Sequence, residues 1–379
     1  MRSFKKSKGF KRLIVSLYIF SLLSLEARGA GVLYKMIDLG TIGGDFGRAE
    51  CISDAGEVVG WGQNTTVVSM AGFFDATGGF NNIALGTLGG STSTAYGINN
   101  QGVIVGWANN SAGYRRATIF DRTGNGNNKD LGTLGRNSSQ AYSINNNGQI
   151  VGFAESPYGN RAAIFDPTGS GKNIAISSNF SAANCISDTG YIVGFENDSV
   201  SGKGRAALFD TTGGNQTINL DKSGFGRSEA YSVNDYCQIV GYSGITGGQY
   251  HATLFDSTGN GSNVDLGTLG GTLSEALSIN DAGQIVGWAS ISSGGMRAAL
   301  FDATGGGNNI NLNDRIENRG DWDFSIAFSI NNDGWIVGQG LYNGVGHAVL
   351  LEPIPEPGMI ALLGLGAALL RSKKAKGKK

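Results

Sequence analysis

The sequence predicts an all-β protein: a seven-bladed β-propeller of seven four-stranded repeats, each about 45 residues long. Three observations predict it. A Val/Ile-Val-Gly tripeptide recurs with its glycine at Gly60, Gly106, Gly152, Gly194, Gly241, Gly287 and Gly338, at intervals of 42 to 51 residues. A Phe-Asp pair recurs in step with it, its aspartate at Asp75, Asp121, Asp166, Asp210, Asp256 and Asp302, with Leu350-Leu351 in the seventh copy. The 63 glycines imply many tight turns, and no window between the chain ends holds a 3.6-residue apolar period.

The clearest copy runs through residues 265–309 and fixes the element order. Four segments are expected strands: EALSIN, QIVGWA, RAALFD and NVDLG, each bounded by Gly, Asn, Asp or Ser. The NDAG and NNNG connections are expected hairpin turns, because Asn, Asp and Gly tolerate positive φ. The repeat array begins with a fourth-type strand, YKMIDLG at residues 34–40, and stops at a third-type strand, GHAVLLE at 346–352. The first strand can therefore complete the last blade, which leaves the ring without an open edge.

Three segments follow, with boundaries 1–30, 31–354 and 355–379. In the first, Arg2, Lys5, Lys6, Lys8, Lys11 and Arg12 precede an apolar run at 13–25 and small residues at Ala27, Gly29 and Ala30. That is the plan of a secretory signal peptide. The last holds Pro355-Glu356-Pro357, a thirteen-residue apolar run at 358–370 and a basic end. As a helix the run spans about 20 Å, short of the ~30 Å hydrocarbon core, so membrane contact is expected to be transient.

The formal charge of −1 hides an asymmetry. Residues 1–29 hold seven of the 29 bases and one acid, and 358–379 hold six bases, which leaves 16 bases against 29 acids, a net of −13, in 30–357. Such a body repels phosphate backbones and excludes nucleic acid as a partner. Cys51, Cys185 and Cys237 are too few for a disulfide framework. Cys51 and Cys185 share one repeat position, read as that of Tyr96, Tyr142 and Leu277.

The first residue of each third strand is a base in six copies: Arg116, Arg161, Arg205, His251, Arg297 and His347. With the first strand innermost, these six form a partial ring on one face and are candidate contacts for an acidic polysaccharide; the alternative is that each pairs with a nearby Asp or Glu between blades. The seventh unit carries an irregular loop, NDRIENRGDWDFS, in which Trp322 and Asp323 are further candidates. Its carboxylates, Asp314, Glu317, Asp321 and Asp323, could serve glycoside hydrolysis, or they are a solvated loop. The loops 121–130 and 256–265 space oxygens as calcium loops do, but lack the terminal bidentate Glu, so hairpin turns and no metal are expected. Two His at repeat-equivalent positions do not make a Ser-His-Asp triad.

The segments DLGTLGG, SINDAGQIVG, HATLF and RAALF resemble the HAF family of extracellular repeats over residues 36–351. The departure is that His opens the third strand only at His251 and His347. The resemblance implies no enzymatic role. The tail is similar to a PEP-CTERM sorting signal, with Pro355, Glu356 and Pro357 as its recognition residues. That resemblance implies an exosortase-type sorting protease as a partner and an envelope-bearing bacterium that exports the chain to its surface or matrix. The combined expectation is a monomeric, non-enzymatic binding or structural module without a cofactor, for polysaccharide or another surface protein. The alternative is a propeller glycosidase or lyase acting on extracellular polysaccharide.

Overall fold

A computed structural model describes residues 31–209 and 217–355, of which Met36–Glu352 form one compact unit. The leader 1–30, Asp210, and the tail from Glu356 onward, including Glu356 and Pro357 of the sorting signal, lie outside the described residues. The unit is a ring of seven four-stranded antiparallel blades: 47–84, 89–130, 139–175, 181–219, 228–267, 270–311, and 322–354 completed by the strand Leu33–Gly40. The described residues contain no α-helix, only a 3-10 turn at Leu312–Arg315.

Within a blade the chain runs from the innermost strand outward. In the third blade these strands are Ser139–Ile144, Ile150–Ser156, Gly159–Phe165 and Ile174–Ala175. The first strands of all seven blades neighbour one another around a central channel. The first and third strands begin on one face, the loop face. The Asn-x-x-Gly and Asp-x-Thr-Gly turns close the opposite, turn face.

Between blades the core is apolar and repetitive. The Leu that follows or ends the fourth strand in six blades, such as Leu85, Leu131 and Leu266, with Ile176 in its place in blade three, is buried against the next blade's Ala and Ile, and its backbone N–H donates to a third-strand carbonyl at Leu85, Leu131 and Ile176. Leu39 does this at the junction of blades seven and one, packed with Ala49, Ile52, Phe74 and Leu350.

The recurring glycine has a geometric cause. Every first strand carries a β-bulge two residues before its end, shown by register shifts such as Ala141/Ser143 and Ala230/Ser232. The carbonyl two residues before the bulged one is pressed onto the facing strand. A Cβ at Gly152 would stand 2.0 Å from the Gln140 oxygen, and one at Gly287 2.0 Å from that of Glu275. Only glycine fits.

Strand register also corrects the cysteine alignment. Cys51 pairs with Val59 and Cys185 with Val193, as Gly97, Ser143 and Ser278 pair with Val105, Val151 and Val286. The cysteines therefore occupy the Ser/Gly position one residue beyond Tyr96, Tyr142 and Leu277. Both cysteines stand nine residues before the Val/Ile-Val-Gly glycine of their repeat, as Gly97, Ser143 and Ser278 do, whereas Tyr96, Tyr142 and Leu277 stand ten before it.

In the NDAG-type turns the hairpins are as expected but Asn works differently. Gly283, not Asn280 or Asp281, takes the positive φ. The Asn280 Oδ1 accepts the Gln284 N–H at 2.9 Å, and its Nδ2 donates to the Asn331 carbonyl of the next blade. The following residue links blades as well: Asp54 N–H donates to Asn100, Asn100 to Asn146, Asn146 to Asp188, Asp235 to Asp281, Asp281 to Asn332, and Asn332 back to Asp54 at 2.9 Å. Thr189 supplies the one missing step, donating to Asp235. This polar collar closes the ring across 278 residues of sequence.

Candidate functional site

Three places bear on function: the bases of the third strands, the irregular loop of the seventh unit, and the two mouths of the channel.

The six bases stand on the loop face. Arg116 Nε lies 3.0 Å from Asp130 Oδ2, His251 Nδ1 2.9 Å from Asp265, His347 Nδ1 2.9 Å from Asp38, and Arg297 Nη1 3.2 Å from Asp323. Asp130, Asp265 and Asp38 are the aspartates of the Asp-Leu-Gly segments, each held by the N–H of the Gly two residues on. Base and acid thus form one unit of the repeat. Where blade one has Met70 in place of the base, Ala84 stands in place of the acid, at the same strand register as Asp130. Arg161 and Arg205 face Ala175 and Asn219 instead, and donate to the carbonyls of Asn160 and Gly226. Arg205 is 9 % exposed. Four of the six bases therefore pair with aspartates, and the other two donate to backbone carbonyls.

In the seventh-unit loop, Trp322 stacks on Tyr342 with centroids 4.9 Å apart and meets the edge of His347 at 5.4 Å. Asp323 bridges to Arg297, while its Oδ1 is buried without a partner. Asp314, Glu317 and Asp321 are exposed. Asn313 holds the loop's exit by two hydrogen bonds to the backbone of Phe324.

In the Asp-x-Thr-Gly turns, the Asp121 Oδ1 accepts from the backbone and hydroxyl of Thr123, and Oδ2 accepts from Asn127. Hydrogen bonding to Thr77 and Thr304, through hydroxyl and backbone, holds Asp75 and Asp302 down to about 2. The oxygens that suggested a calcium loop are satisfied inside the turn. Its second Asn is an outer stitch: Asn128 Nδ2 donates to the Leu85 carbonyl of the preceding blade at 2.7 Å.

The channel mouths differ. On the turn face a cavity of about 170 Å³ is lined by the same three positions from every blade, Ile/Val, Ser/Asn and Asp/Asn. On the loop face a cavity of about 480 Å³ is lined by the bulged residues Glu50, Tyr96, Tyr142, Asn184, Tyr231, Leu277 and Phe328, with Arg48, Glu275, Trp288 and Ile326. The bulge aims its residue into the channel, and here the seven copies diverge.

Electrostatics at this mouth is set by burial. It raises the proton affinity of Glu50, Glu229 and Glu275, opposed at Glu50 by Arg48, at Glu229 by Asn184 and at Glu275 by Trp288. Burial also pushes the Tyr142 and Tyr231 phenols up, and Tyr242 up to about 12. Trp288 Nε1 donates to Glu275 Oε2 at 3.3 Å, Asn184 Nδ2 to Glu229 Oε1 at 2.8 Å, and Trp61 Nε1 to Glu50 Oε1 at 3.0 Å. Arg48 is committed to Glu50, with Nη2 donating to Oε2 at 3.1 Å, and its guanidinium lies 3.7 Å over the Phe328 ring.

None of these mouth residues is among the sequence-derived candidates. The signal was present: in the first strands one variable column stands between an Ala column and a Ser/Gly/Cys column. No family model matches the chain, and no curated protein matches it with significance.

Proposed function

We propose that the chain is a non-enzymatic binding module of the bacterial exterior, which takes a polysaccharide at the loop-face mouth of its channel. The observation that carries this reading is where the repeats differ. Positions at the turn face recur from blade to blade because they hold blade to blade. The bulged column joins blades only here and there, as where Asn184 donates to the Ala230 carbonyl, and carries seven side chains of five chemical kinds around one cavity. Tyr and Trp faces suit the C–H surfaces of sugar rings, while phenols, carboxylates and an amide provide hydrogen bonds. Export rests on the leader and tail sequences and on their resemblance to HAF repeats with a PEP-CTERM signal.

A glycan-array screen of the purified chain tests the reading. Binding to a defined glycan is expected, and Tyr142→Asn and Tyr231→Leu, the residues that blades four and six carry at that column, should each weaken it about tenfold. Retention of glycan affinity by both variants contradicts the placement of the site.

A glycosidase or lyase is the second reading. It is favoured by Glu229 and Glu275, which hold protons more tightly than ordinary carboxyls, as a general acid does. New reducing or unsaturated ends in a bound glycan, lost in Glu275→Gln, would establish it.

A further inference from the structure

We propose that the loop-face cavity of the channel holds an organic ammonium group, presented by a ligand with small apolar substituents around the charge. The inference rests on the reading of this mouth as a binding site, but not on the ligand being a polysaccharide. Two carboxylates stand at equivalent positions of adjacent first strands: Glu275 in blade six, which lines the cavity, and Glu229 in blade five, which accepts from the cavity-lining Asn184. Each accepts one hydrogen bond from a neutral donor, through Glu229 Oε1 and Glu275 Oε2, and neither forms a salt bridge among the described residues. The cation lining the cavity, Arg48, is bound to Glu50 and covers Phe328, so it offers these glutamates no counter-charge at contact distance. Arg227 stands exposed near Glu229, and the remaining titratable neighbours are the phenols of Tyr231, Tyr242 and Tyr250.

The aromatic rings complete the argument. Tyr231 packs on Tyr242 at 5.7 Å, Tyr242 on Tyr250 at 5.2 Å, and Tyr250 meets Trp288 edge-on at 6.3 Å. Tyr231 and Trp288 line the cavity, and Tyr242 and Tyr250, on the second and third strands of blade five, connect them. Negative ring faces beside half-buried carboxylates favour a cation with a weak hydration shell over a neutral group of the same shape, since ring and carboxylate both gain from the charge. An anionic ligand meets uncompensated carboxylates there.

Choline and its uncharged isostere 3,3-dimethylbutan-1-ol, titrated calorimetrically into the full chain, separate charge from shape. Choline is expected to bind, and the isostere at least about tenfold more weakly, the effect of about 1.4 kcal/mol. Glu275→Gln and Glu229→Gln should each reduce choline affinity severalfold, whereas Asp333→Asn, exposed on the turn face, should leave it unchanged. Because burial raises both glutamates, choline affinity should begin to fall on acidification above the ordinary carboxylate range. Melting curves of each variant show that the ring is intact. Equal binding of choline and the isostere, unchanged choline affinity in the Glu229→Gln/Glu275→Gln double variant, or no choline binding by the folded chain overturns the inference. A chain that binds glycans at the mouth but not choline loses this inference alone, and one that binds choline but no glycan loses only the polysaccharide reading.

Discussion

Gly152 and Cys237 show how a single residue reports the backbone it must accept. The Gly152 Cβ position lies 2.0 Å from a backbone oxygen that cannot retreat, because the first-strand bulge fixes it. Gly152→Ala should cost at least about 3 kcal/mol, the upper end of overpacking penalties, measured as a shift in denaturant midpoint. Cys237 is the opposite case. It sits at φ 59° where the equivalent residues are Gly56, Gly102, Gly148, Gly190, Gly283 and Gly334. Left-handed backbone costs a non-glycine residue about 1–2 kcal/mol, offset in part by the greater unfolded entropy of glycine, so Cys237→Gly should stabilise by about 0.5–1 kcal/mol.

Titration gives a further prediction at this scale. Asp75 and Asp302 are held down to about 2 by Thr hydroxyl and backbone donors, so their stabilisation is present above the unfolded value of 3.8 and lost as pH falls towards 2. Glu50, Glu229 and Glu275 act with the opposite sign. Their folded proton affinity is raised, so they weaken the fold at neutral pH and this cost is relieved on acidification. Chemical denaturation across pH should find greatest stability in mild acid and a decline below about pH 4, near the ordinary carboxylate value. The exposed aspartates contribute weakly, because solvent screens them.

At the scale of the element, the strand Leu33–Gly40 closes the seventh blade, and Leu39 is fully buried at the junction with blade one. Leu39→Ala should cost about 2–5 kcal/mol, as should Leu131→Ala inside the array. A loose terminal strand would instead leave the melting temperature of the Leu39 variant near that of the parent. Strand order and closure were legible in the sequence, since each strand type carries its own motif and YKMIDLG is a fourth-type strand without predecessors. The bulge was not legible, because it is a property of a strand pair and leaves only a glycine on the partner. Without it, the variable column that holds Tyr142 and Tyr231 shows that the copies diverge but not that these side chains face the channel. The third-strand bases were found, but their aspartate partners lie 14 residues away in Arg116–Asp130 and His251–Asp265, and 309 away in His347–Asp38. Only the register of third and fourth strands brings them together.

At the scale of the molecule, the ring divides its labour between two ends of one channel. The turn face holds the blades together through Asn and Asp side chains that bond the neighbouring backbone, and the loop face presents the divergent column. Export belongs to this scale too: mass spectrometry of the secreted chain should find termini near residue 30 and Pro357, and retention of residues 371–379 would contradict the sorting proposal. The most direct test of the division of labour is a matched set of melting temperatures. Asn145→Ala and Asn280→Ala remove the donors to the Ser187 and Asn331 carbonyls and the acceptors within their own turns, which should cost about 1–3 kcal/mol for each buried group left unpaired. Tyr142→Asn and Tyr231→Leu, taken from neighbouring blades, should cost less than about 1 kcal/mol, since each puts in a residue that the same column already carries around the same cavity. Turn-face variants that melt well below mouth variants are the predicted result, and mouth variants that melt as low as turn-face variants would contradict it.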